Sequence, residues 1–209
     1  MNEYYVPSGF GQDEFVEKKS RFIGTIWPCE TEEEALAHIK EMNEKCRDAA
    51  HNVYAYIIRE NNIMRYSDNG EPQGTAGMPT LEVLRREGVT NVLCVVTRYF
   101  GGILLGAGGL TRAYAHSAKI ALDAAGISVM RQWTQVLLEA PYNWQERVKL
   151  KIEELGGMIE GIDYGASVLF DACVPSEELK AFTAQMIDFT NGIVAPVAMG
   201  DKFMGVRIR

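Results

Sequence analysis

Glycine gathers at one place in this chain. Gly101, Gly102, Gly106, Gly108 and Gly109 follow a β-branched run that ends at Arg98 and precede a helical pattern that begins near Leu110. Just upstream, the stretch 68–79 holds Gly70, Pro72, Gly74, Gly77 and Pro79, which excludes any regular element there. Glycine costs backbone entropy, so a cluster of it points to a geometric need. Amides exposed at the start of a helix carry about half a positive charge and can cradle an anion. Arg98 at the strand end and Arg112 in the first helical turn would flank such a cradle. The pattern predicts a phosphate-binding surface made of Arg98, Gly101, Gly102, Gly106, Gly108, Gly109 and Arg112. A second reading stays open at this point: the glycines permit tight strand-to-helix packing, and the arginines pair with Asp68 or Glu71.

Two familiar nucleotide loops are excluded. A Walker A loop would need lysine where Ala107 stands after Gly106, and a dinucleotide fingerprint would need a third glycine where Thr111 stands. Lys18, Lys19 and Arg21 form a basic run at the start of a predicted strand, either a solvated edge or an extension of the phosphate surface. Asp68 and Glu71 could serve as an acid/base pair, but Asp-Asn-Gly is also ordinary turn chemistry. His51 and His116 have no nucleophile signature beside them and are read as hydrogen-bonded structural histidines. Tyr99 and Phe100 could stack on bases or belong to the core.

The chain has 209 residues and a net charge of −7, and both halves are acidic, so a polyanion site must be a local patch. Cys29, Cys46, Cys94 and Cys173 show no metal-knuckle spacing and are expected as reduced thiols of a cytosolic protein. No signal peptide, membrane span, metal or cofactor is expected.

Residues 1–13 read as a loose arm. Strands are expected over 20–27, 52–59, 63–67 and 91–98. Helices are expected from Thr31, as the cap of a capping box with Glu34, to Lys45, over 80–86, and over 110–125. After Ser128 the pattern restarts as strand 135–140, helix 143–155, strands 159–164 and 167–174, a helix to about Thr190, and a strand within 193–208. That order is the split β-α-β-β-α-β of ferredoxin-like domains. An α+β protein with domains 1–132 and 133–209 is expected.

The run Asp68-Asn69-Gly70-Glu71-Pro72, the segment Gly74-Thr75-Ala76-Gly77, the run Arg98-Tyr99-Phe100-Gly101-Gly102, and Gly108-Gly109-Leu110 with Arg112-Ala113-Tyr114 resemble the YigZ/IMPACT family. Lys18-Lys19-Ser20-Arg21-Phe22-Ile23 and His51-Asn52 resemble it too. The resemblance implies a first domain with the β-α-β arrangement of a small-subunit ribosomal protein and of domain IV of elongation factor G. It implies a second domain like domain V of that factor. Eukaryotic members act in translational control through a further partner-binding domain, so that role is not carried over. The leading expectation is a non-enzymatic RNA- or ribosome-binding protein in translation or its regulation. Arg98, Arg112 and the amides of 106–109 would be its phosphate contacts. The alternatives are an enzyme on a small phosphorylated or nucleotide ligand, with Asp68 or Glu71 as base, and a protein-interaction module docking through the acidic helix or the C-terminal sheet.

Overall fold

The computed structural model describes residues 3–209. The chain divides into two compact units: Tyr4–Val129 with Gly205–Arg209, and Met130–Met204. The fold is α+β in both.

The larger unit opens with β1, Tyr4–Pro7, and the hairpin β2, Gly11–Glu17, and β3, Ser20–Pro28. Helix α1, Glu32–Lys45, follows, and then β4, His51–Ile58, and β5, Ile63–Ser67. Helix α2, Gly77–Arg86, β6, Val92–Tyr99, and α3, Ala107–Ala125, complete it. Its sheet runs β2-β3-β6-β4-β5, antiparallel at each pairing. Strand β6 is central and buried on both faces. Val92, Cys94 and Val96 enter the core that also holds Leu84, Tyr114 and Leu122. Leu93 and Val95 enter the core on the opposite face with Ala35, Ile39 and Met42 of α1. The period of two along a strand splits one apolar run between two cores, which is why β6 reads as continuously apolar. Burial pushes the Cys94 thiol up to about 12, and the Cys29 thiol likewise to about 12.

Three local expectations are corrected. The stretch read as a loose arm carries β1 and β2. The Thr90 amide donates to the Tyr5 carbonyl at 2.8 Å, and β2 pairs with β3 along its whole length. Strand β2 is an edge with one exposed face, so its polar sequence hides it. A Cβ on Gly11 would lie 2.3 Å from the Ala125 amide nitrogen, so this glycine admits the strand beside α3. Helix α2 begins at Gly77, not at 80, with Pro79 inside its first turn where no donor is required. Helix α3 begins at Ala107, so Gly108 and Gly109 are helical residues. At α1, Thr31 Oγ1 accepts from the Glu34 amide as expected. The Glu34 carboxylate, however, accepts from the Glu30 amide at 2.8 Å, one residue before the cap.

Strand β7, Ile127–Ala140, starts earlier than expected because Ile127 donates to the Arg209 carbonyl at 2.9 Å. In the smaller unit, α4, Gln145–Glu154, β8, Met158–Tyr164, β9, Val168–Pro175, and α5, Leu179–Phe189, follow, and then β10, Val197–Arg207, whose residues from Gly205 on belong to the larger unit. The sheet has five strands, β1-β7-β9-β8 with β10 also paired to β7, and the order β10-β7-β9-β8 within it is that of a ferredoxin-like sheet. Its core joins Val136, Leu138 and Phe170 to Val148, Ile152, Phe182 and Met186 of the two helices.

Candidate functional site

The glycine cluster is positioned by the β2–β3 hairpin. Glu17 pairs with Ser20, so Lys18 and Lys19 alone form the turn, with φ of 45° and 63°. Such a turn favours Asn-Gly, because both central residues are left-handed. Gly101 lies on this turn. A Cβ there would stand 2.0 Å from the Lys19 carbonyl, and the Gly101 amide donates to Ser20 Oγ at 3.2 Å. Gly101 therefore serves an approach of the chain to itself, not to a ligand. Gly102 and Gly106 have φ of 83° and 72° with open space around them.

Beneath the cluster lies a buried polar network drawn from four elements. Arg98, at the end of β6, is 4 % exposed, and its Nη1 donates to Glu71 Oε1 at 2.5 Å. Its Nη2 donates to Ser20 Oγ at 3.3 Å. Tyr114 of α3 donates its hydroxyl to the same Glu71 oxygen at 2.8 Å. Burial, and after it the charge of Glu71, holds the Tyr114 phenol well above its ordinary range, so it remains a donor. His51 of β4 places Nε2 3.7 Å from Glu71 Oε1. Its Nδ1 lies 2.8 Å from the Asn69 carbonyl oxygen. A carbonyl only accepts, so Nδ1 carries the proton there.

This corrects the place expected for Arg98. Its guanidinium is committed inside the protein to Glu71 and is not a phosphate contact. Of the two partners open in the sequence, Glu71 is the one taken. Asp68 acts elsewhere. Its carboxylate accepts from the amides of Gly74, Ala76 and Gly77 at 2.8, 3.1 and 2.8 Å and so caps α2. With three amide donors it is a helix anchor, not a free base. Arg21 is also committed, its Nε and Nη2 donating to Glu14 Oε2 at 3.0 and 2.5 Å. That ion pair raises the Arg21 pKa still further.

The remaining expected cations are exposed. Lys18 and Arg112 line one cleft of about 230 Å³ with Gly109 and His116, and Glu17 is the acid beside them. Neither cation has a carboxylate within salt-bridge distance among the described residues. Among the described residues His116 has no hydrogen-bond partner; its ring meets Phe15 edge-on at 4.7 Å, which corrects its reading as a hydrogen-bonded residue. Phe100 is 49 % exposed, so it is not core. Gly106 caps α3 without a side chain, so the first-turn amides from Ala107 to Gly109 have no side-chain cap among the described residues. One residue of the site carries no local mark in the sequence: Phe15, a wall of the cleft, which the β2–β3 hairpin brings there.

Comparison with known proteins matches residues 18–122 to the family profile described as the Impact N-terminal domain. Residues 138–192 match a domain of unknown function, DUF1949. The chain is 38 % identical over 193 residues to the "IMPACT family member YvyE" of Bacillus subtilis, covering 92 % of this chain and 89 % of that one. It is 33 % identical over 185 residues to the "IMPACT family member YigZ" of Escherichia coli, covering 87 % and 91 %. A solved structure described as "Crystal structure of an hypothetical protein" matches with a TM-score of 0.60 and 31 % identity, over 96 % of this chain and 98 % of that one.

Proposed function

This chain belongs to the IMPACT family, and from that premise we propose that its larger unit binds RNA, free or within the ribosome, in translation or its regulation. Lys18, Lys19 and Arg112 are the phosphate contacts, with the amides of Gly108 and Gly109 beside them. The observation that carries this reading is the turn at Lys18–Lys19, where both residues adopt positive φ. A left-handed conformation costs an ordinary residue about 1–2 kcal/mol relative to glycine. Two lysines in a position suited to Asn-Gly add charge at the expense of stability, and a strained residue on an exposed turn is a pointer to function. The body of the protein is acidic, which confines attraction for a polyanion to this patch.

About three phosphate contacts on a single strand give a log–log salt slope of roughly −2. Fluorescence anisotropy with a labelled single-stranded RNA, titrated at several salt concentrations, is expected to give that slope. Arg112→Ala should reduce its magnitude by about 0.7, equally for different RNA sequences. Binding by Lys18→Ala/Lys19→Ala/Arg112→Ala that equals the unsubstituted protein would refute the reading.

A further inference from the structure

We propose that the cationic cleft between β2 and α3 seats one unpaired guanine base of the bound RNA, held on its Watson–Crick edge by Glu17. On the RNA reading above, on which this assignment rests, the bound strand is then single and one of its bases is recognised. The cleft is about 230 Å³ and is lined by Phe15, Glu17, Lys18, Leu105, Arg112 and His116 among others. Phosphate contact accounts for Lys18 and Arg112. It does not account for Glu17, whose charge repels phosphate, or for the apolar wall.

The period of two along a strand puts Phe15 and Glu17 on one face of β2. Arg112 and His116 stand four apart on α3 and share a face of that helix. Among the described residues the Glu17 carboxylate has neither a hydrogen-bond donor nor an ion-pair partner, although two cations line the same cleft. A carboxylate only accepts, and its two oxygens match a pair of parallel N–H donors. Guanine alone among the four bases carries two adjacent donors on its Watson–Crick edge, the ring N1–H and the 2-amino group. Adenine and cytosine set a ring acceptor beside their amino group, and uracil flanks its N–H with two carbonyls. Each of these turns a lone pair toward the second carboxylate oxygen. In a duplex the guanine donors are spent on the paired base, so recognition requires an unpaired one. Phe15 and Leu105 pack partly buried against the core and wall the cleft with apolar surface, and the His116 ring meets Phe15 edge-on at 4.7 Å. A planar base finds aromatic and apolar contact there while Lys18 and Arg112 hold the flanking phosphates.

The test is fluorescence anisotropy of the full chain with labelled oligouridines that differ only at one central base. A central guanosine is expected to bind about tenfold more tightly than a central adenosine, cytidine or uridine. Inosine, which keeps N1–H but lacks the 2-amino group, should fall between them. Annealing a complementary strand over the guanosine should abolish the preference. Glu17 is exposed and its side chain holds no partner in the fold, so Glu17→Gln leaves the structure intact. That variant should bring the strands within about twofold of one another. With a negative charge removed from beside the phosphates, it should also tighten binding of the all-uridine strand. Equal affinity for all central bases, with the salt slope of about −2 intact, would overturn the guanine seat and leave the phosphate contacts standing. A guanosine preference that survives Glu17→Gln would overturn the seat as well. Failure of every strand to bind would overturn both the seat and the RNA reading.

Discussion

Arg98→Ala is expected to destabilise the larger unit by about 3–5 kcal/mol, the cost of leaving a buried charge without its partner. The side chain is 5 % exposed and its Glu71 partner 4 %. Removal leaves Glu71 with the Tyr114 hydroxyl at 2.8 Å and the distant His51, and it also takes a donor from Ser20 Oγ. Four elements lose their common anchor: the loop after β5, the end of β6, α3 and the hairpin. Native-state hydrogen exchange of the β6 amides reports this unit without interference from the smaller one. A double variant, Arg98→Met/Glu71→Leu, should recover much of the loss, because an apolar pair of similar volume replaces both desolvated charges. A loss below about 1 kcal/mol for Arg98→Ala would be the behaviour of a solvated pair, and it would contradict the buried network.

Gly101→Ala is the second large effect. The added Cβ would meet the Lys19 carbonyl carbon and oxygen at 2.0 Å and the Ser20 nitrogen at 2.5 Å. These are backbone atoms of a paired hairpin and cannot swing aside. The loop must retreat and lose the bond from its amide to Ser20 Oγ. The expected cost is at or above the upper end of ordinary overpacking, about 3 kcal/mol. Gly102→Ala is the internal comparison: its Cβ meets nothing within 4 Å, and only the φ of 83° opposes it. That substitution should cost about 1 kcal/mol. Thermal unfolding of both variants, followed by the exchange of β6 amides, separates crowding from conformation. Equal losses at the two positions would show that close approach is not the reason for Gly101.

Much of the architecture was legible because its signals are local. Thr31 caps α1, Gly126 ends α3, and the apolar run through Cys94 and Val96 is a buried central strand. The β-α-β-β-α-β order after Ser128 could likewise be read from alternation and breaks alone. What could not be read depends on partners distant in sequence. Strand β1 is held through Thr90, and β2 by Ala125 packing over Gly11. The start of α2 is set by Asp68, nine residues before Gly77, whose carboxylate reaches that amide. The site divides in the same way. The glycine cluster stands at a helix start in the sequence pattern and in the structure, but proximity in sequence puts Arg98 beside Arg112 as an outward neighbour. The alternation of β6 sends Arg98 inward, beside Phe22 and under Glu71, while Arg112 lies on the exposed face of α3. Lys18 joins Arg112 only through the hairpin fold, a distance in sequence that no motif spans.

On the proposed reading, the hairpin turn carries its lysines for contact with RNA phosphates and not for the fold. Lys18→Asn/Lys19→Gly separates the two roles in one protein, by melting temperature and by RNA anisotropy at low salt. A gain in stability of about 1–2 kcal/mol is expected, since Asn-Gly suits the positive φ at both positions, together with a clear loss of RNA affinity. Affinity equal to that of the unsubstituted protein in a chain so stabilised would contradict a phosphate-binding role for the turn.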